Sequence, residues 1–188
     1  MASRKCFSLP VSCLLVLVLS ACATLSKNEC LNADWYHLGT QDGAAGYPQG
    51  RLLEHYEACA EYGIRPDDAK YLTGRSDGLV AYCQPANAIC EGLAGRVYQG
   101  VCPPSVHLQF ADLNRIALSV RAARQGLDSL ASRQDALEHE LHHKKTSEDR
   151  KRQIRAQLRD LDRELDAHRN ELRWREYDLD RDYMAPWR

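Results

Sequence analysis

The chain has 188 residues, with 25 Lys and Arg against 26 Asp and Glu, a formal net charge of −1. That balance lacks the basic excess of a dedicated nucleic-acid binder. At 44% hydrophobic and 27% charged, the composition is that of a folded protein and excludes a long disordered chain.

Residues 1–22 read as an address. Arg4 and Lys5 precede an apolar run from Leu9 to Leu19, too short for the roughly 20 residues of a membrane-spanning helix, and Leu19-Ser20-Ala21-Cys22 follows. This pattern resembles the lipobox of bacterial lipoproteins. The resemblance implies a leader over 1–21 that is removed, a Cys22 that is acylated (palmitate among the chains), and a periplasmic protein anchored in the outer membrane, since Ala23 rather than Asp follows Cys22. Two or three acyl chains give stable anchoring where one is marginal.

Residues 22–104 form the next unit. Beyond Cys22 it holds Cys30, Cys59, Cys83, Cys90 and Cys102. In an oxidising compartment this density reads as a disulfide framework for a head with limited apolar surface. A Cys83–Cys102 bridge would close the segment between them, and Cys30–Cys59 would tie the N-terminal stretch to the middle of the head, leaving Cys90 as the odd thiol. Four paired cysteines admit three arrangements. No zinc-ribbon spacing is present.

The head contains a repeat. Tyr36, Gly39, Asp42, Gly43 and Tyr47 recur as Tyr71, Gly74, Asp77, Gly78 and Tyr82, each displaced by 35. Offsets of 0, 3, 7 and 11 place the tyrosines and glycines on one helical face. Glycine inside a helix costs about 1 kcal/mol against alanine, a loss that close approach of another backbone offsets. Two helices crossing at their glycine faces are expected, the first capped by Asp34 and the second opened by Pro66, Asp67 and Asp68. Arg51 to Tyr62 is expected as a short helix with Leu52, Leu53, Tyr56 and Cys59 on one side. Residues 83–104, rich in Gly and Pro, are expected to be mostly loop.

These residues carry a second resemblance. Leu25-Ser26-Lys27-Asn28-Glu29-Cys30, the Asp34-Trp35-Tyr36 start of the repeat with Gly39, Asp42 and Gly43, Tyr82-Cys83 and Val101-Cys102-Pro103 resemble the bacterial lipoproteins of domain-of-unknown-function family 2799, over about residues 25–180. The resemblance implies a lipoprotein head with a helical tail and brings no activity; Cys90 departs from the family's pattern.

Residues 105–188 are expected to be a stem. They hold 17 Lys and Arg against 16 Asp and Glu, whereas residues 23–104 hold 6 against 10. Leu113, Ile116, Val120, Ala123, Leu127, Leu130, Leu137 and Leu141 form a seam of 3 and 4 spacing, and Ile154, Leu158, Leu161, Leu165, Leu172 and Leu179 form another. One continuous heptad frame would bury Lys144, Glu148, Lys151 and Arg155. A reversal near Ser147 avoids this by pairing Leu141 with Ile154, Leu137 with Leu158, Leu130 with Leu165 and Ile116 with Leu179. The expected fold is mainly α: a small disulfide-tied helical head followed by a long antiparallel, coiled-coil-like hairpin with arms of roughly 50 Å. The alternative is one continuous, self-associating helix. The turn residues His142 to Ser147 include no Gly or Pro. Trp174 and Tyr177 lie outside the seam and would dock on the head, or else form a partner-binding face.

Sites for chemistry are few. Asp42 and Asp77 could converge as an acid–base pair, with capping or crossing hydrogen bonds as the plainer reading. His139 and His143, four apart, could hold a metal at the solvated tip, but an adventitious pair is the plainer reading. No catalytic residue, cofactor, metal or nucleic-acid partner is expected. The expected function is a non-enzymatic structural or protein-interaction module with an envelope protein partner and potential self-association through the stem. A cell-envelope enzyme or enzyme cofactor protein using the Asp42/Asp77 region, or a peptidoglycan-binding spacer, are the alternatives.

Overall fold

The computed structural model describes residues 24–184; the leader expected over 1–21 and its acylation site at Cys22 lie outside the described residues. Among the described residues there are seven helices and no strand: α1 (Lys27–Leu31), α2 (Trp35–Ala44), α3 (Arg51–Ala60), α4 (Asp68–Tyr82), α5 (Pro85–Leu93), α6 (Pro104–His142) and α7 (Glu148–Met184). Short side chains set the starts. Ser26 and Glu29 form a capping box on α1, Asp34 accepts from the His37 amide, and Asp67 accepts from the Lys70 amide.

α2 and α4 run parallel, joined at the four repeat glycines. A Cβ on Gly39 would lie 2.0 Å from the Tyr71 carbonyl oxygen, and one on Gly74 would lie 2.0 Å from that of Tyr36. Gly43 meets the Arg75 carbonyl and Gly78 that of Thr40, each at 2.2 Å. Either half of the repeat thus makes the same contacts on the other. The equivalence ends at Tyr47: α2 stops at Ala44, Gly46 turns the chain at φ 72°, and the Gly46 and Tyr47 amides bond back to the Gly43 and Asp42 carbonyls. Tyr47 is therefore off the helical face, while its equivalent Tyr82 stays in α4 and stacks on Phe110.

Residues 83–104 are mostly loop, as expected, but also contain α5, because Pro85 occupies the first turn, where proline is tolerated, and Gly92 sits near the other end, against Asn114 and Ala117. One further expectation is corrected. On α3, Leu53 faces solvent at 61% exposure and the buried face carries His55, Ala58 and Cys59.

α4 joins two cores. Tyr71 belongs with Leu25, Cys30, Trp35, Ala58 and Cys59. Leu79 and Tyr82 belong with Phe110, Leu113, Val120 and Leu179. The disulfides Cys30–Cys59 and Cys83–Cys102 lie one in each core, and the exposed Cys90 is free. These are the expected pairings, and each contributes roughly 3 kcal/mol. Asn114, buried in α6, accepts from the Tyr98 amide and donates to the Ala88 and Arg96 carbonyls, fastening α5 and its following loop to the stem base.

α6 and α7 form the antiparallel hairpin. Arg175 donates to the Ser119 carbonyl, Arg124 pairs with Glu176, and Gly126 packs beside His168. Side chains make the reversal without Gly or Pro: Thr146 donates to the Glu140 carbonyl, Arg150 grips the Glu140 carboxylate with two nitrogens, and Ser147 accepts from the Arg150 amide. Ile154, Leu161, Leu165 and Leu179 are buried, but beyond Val120 the α6 seam is only half-buried, since a pair of helices has no third layer to cover it.

Candidate functional site

Asp42 lies at the centre of the most connected buried polar group in the head. Tyr71 donates to Asp42 Oδ2 at 2.7 Å, and His55 Nε2 meets the same oxygen at 2.7 Å. On its other side His55 Nδ1 meets Thr24 Oγ1 at 2.8 Å. An ionised carboxylate only accepts, so Nε2 carries the donated proton; in the neutral ring Nδ1 then takes the Thr24 hydroxyl. Four segments distant in sequence are joined by this chain.

Its electrostatics follow from enclosure. Burial pushes the Asp42 carboxyl up, but hydrogen bonds from His55 and Tyr71, then electrostatic attraction to His55 and Arg51, outweigh it and hold the group below the usual carboxylate range. Burial, then the bond to Asp42, push the Tyr71 hydroxyl far up, which keeps it a donor. Arg51 stacks on the Tyr47 ring at 4.7 Å and Arg75 donates to the Tyr47 carbonyl, so the loop after α2 is held beside the same group.

Asp77 does not join Asp42. It accepts from Tyr36 at 2.8 Å, the repeat-related counterpart of the Tyr71–Asp42 bond, on the opposite flank of the crossing and open to solvent. The two carboxylates therefore form no acid–base pair. The order hydroxyl, imidazole, carboxylate in Thr24, His55 and Asp42 suits proton relay in principle. His55 is 1% exposed and Asp42 7%, while Thr24 at the end of the series is half-buried, so the group ties Thr24, α2, α3 and α4 together as a polar brace across the head.

Elsewhere, His143 is the C-terminal cap of α6 and its Nδ1 accepts from the Lys145 amide, and His139 and His143 both line the open cleft at the stem tip. Among the described residues no group of three or more His, Cys, Asp or Glu is placed to hold a metal ion. Trp174 and Tyr177 do not dock on the head: they are 69% and 58% exposed, edge to face at 6.3 Å. With Met184 they line the face of α7 opposite its seam. Among the described residues from 109 to 173 no large hydrophobic side chain is exposed, whereas Leu108, Trp174, Tyr177 and Met184 are exposed at the stem base.

Sequence reasoning missed Thr24 and His55. The one available signal was a histidine within one turn of the buried-face Cys59 on an otherwise amphipathic helix, and nothing local marked its partners.

Residues 34–117 match the family model described as a protein of unknown function (DUF2799). The match spans both halves of the repeat and ends within the base of α6, so most of the stem lies beyond it. No curated protein and no solved structure matches the chain.

Proposed function

We propose that this chain, a member of the DUF2799 family over its head, is a lipid-anchored lipoprotein of the outer membrane's periplasmic face that acts as a non-enzymatic adaptor for another envelope protein. The observation that carries the reading is the exposed aromatic pair Trp174 and Tyr177 at the stem base, set against arms whose outer faces are polar from residue 109 to 173. Trp and Tyr are the side chains that most often anchor protein interfaces, and here they face away from their own fold. The brace at Thr24 supports the anchoring half, since it fixes the backbone two residues after Cys22 to the buried Asp42 group. A head secured that close to an acyl chain would hold the stem base at a set distance from the membrane surface. The burial of Asp42 and the separation of Asp77 weigh against an enzyme built on the repeat aspartates.

Two measurements test this. Cys22→Ala is expected to move the protein from the membrane to the soluble fraction, and unchanged fractionation would defeat the anchor. Photo-crosslinking in native envelopes from positions 174 and 177 is expected to capture one recurrent protein, while probes at 152 and 163 on the outer arm capture none of it. Equal capture from all four positions would remove the stem base as the binding face.

A further inference from the structure

The stem separates charge along its length. Counting both arms, the tip half (residues 130–159) carries eight Lys and Arg against five Asp and Glu, whereas the base half (residues 104–129 and 160–184) carries eight against eleven; seven of the eight tip cations lie in the turn and the first three turns of α7. Part of the positive charge is spent internally: Arg150 pairs with Glu140, Lys151 with Glu148 and Arg152 with Asp149. Lys144, Lys145, Arg155 and Arg159 are exposed, and none of the four belongs to an ion pair among the described residues. Arg155 and Arg159 lie on the side of α7 away from the buried Ile154. Lys144 and Lys145 border an open cleft of about 710 Å³ whose walls also carry His139, His142 and His143, with Asp135 and Glu138 on its α6 side.

The partner's class follows from what accompanies this charge. A protein interface centres its energy on Trp, Tyr and Arg packed into desolvated pockets, and the outer stem exposes no aromatic or other large hydrophobic side chain beside its arginines. An anionic bilayer needs only charge: a cluster of four or more Lys and Arg is drawn to its headgroups, each adding on the order of a fivefold gain in affinity. We infer that the stem tip binds the phosphate headgroups of an anionic bilayer through Lys144, Lys145, Arg155 and Arg159. This lipid contact is separate from the Cys22 anchor and stands at the other end of the stem.

The test embeds the full chain in phosphatidylcholine vesicles and measures capture of a second, dye-labelled vesicle population made with or without phosphatidylglycerol. Capture of the phosphatidylglycerol vesicles alone is expected, weakening with added salt. Replacing all four cations by glutamine is expected to lower the apparent affinity by on the order of several hundredfold, with an unchanged melting temperature because all four are exposed. No capture, equal capture of neutral vesicles, or full capture by the variant would overturn the inference. So would release by inorganic phosphate at constant ionic strength, which would identify a site for a discrete phosphate group instead of a bilayer. If the chain fails to float with the first vesicles, the anchor alone fails, and direct sedimentation with the labelled vesicles decides the tip.

Discussion

Gly39→Ala is expected to destabilise the head by about 3 kcal/mol or more, a greater loss than any surface substitution would produce. The new methyl group would lie 2.0 Å from the Tyr71 carbonyl oxygen and 3.0 Å from the Arg75 amide nitrogen. These are backbone atoms of α4, so no side chain can swing aside and the helices must part. Parting them also stretches the two bonds that flank the crossing, Tyr71 to Asp42 and Tyr36 to Asp77, so the cost exceeds that of intrinsic helix propensity, which favours alanine. Gly50→Ala is the matched control. Gly50 sits at φ −59° with no heavy atom within 4 Å of the added carbon, and the change should leave stability the same or raise it by about 0.5 kcal/mol. Thermal unfolding of the two variants checks both, and a Gly39→Ala protein that melts with the parent would show that the helices do not cross there.

The crossing was legible in the sequence because backbone contact leaves a mark: only glycine tolerates it, and each half of the repeat needs its own pair. Asp34 was legible for a similar reason, since a cap is satisfied by an amide three residues away. The reversal into a hairpin was legible because the two apolar seams coincide only when the chain turns back. What escaped notice depends on tertiary neighbours. Gly92 and Pro85 look like helix breakers until they are placed at the ends of α5. Leu53 and His55 exchange the roles that hydrophobicity assigns them, because the buried side of α3 is decided by Asp42 and Thr24, 13 and 31 residues from His55. The exposure of Trp174 could not be read from periodicity, which places a residue outside a seam without saying whether the head reaches it.

The Asp42 brace should make the head acid-sensitive in a way that one substitution removes. Asp42 has its pKa held below the ordinary carboxylate value in the folded protein, so its charged form stabilises the fold. The sign follows by linkage: the contribution is complete above the unfolded-state pKa, about 4, and is lost as pH falls through the lower folded-state value. Asp42→Asn keeps one acceptor oxygen for Tyr71 and His55 but cannot ionise. It should therefore be less stable at pH 7 by about 2 kcal/mol, and the gap to the parent should narrow as pH falls below about 4. Asp42→Ala removes both oxygens, leaves buried donors on Tyr71 and His55 unmatched, and should cost about 3 kcal/mol or more at pH 7. Asp77→Asn, at the equivalent but solvent-facing position, should change stability by less than about 1 kcal/mol at either pH. Urea unfolding of the three variants across this range decides the matter: an Asp42→Asn deficit that is constant with pH would mean that the carboxylate is not the charged partner of this group, and equal deficits at Asp42 and Asp77 would mean that burial does not distinguish the two halves of the repeat.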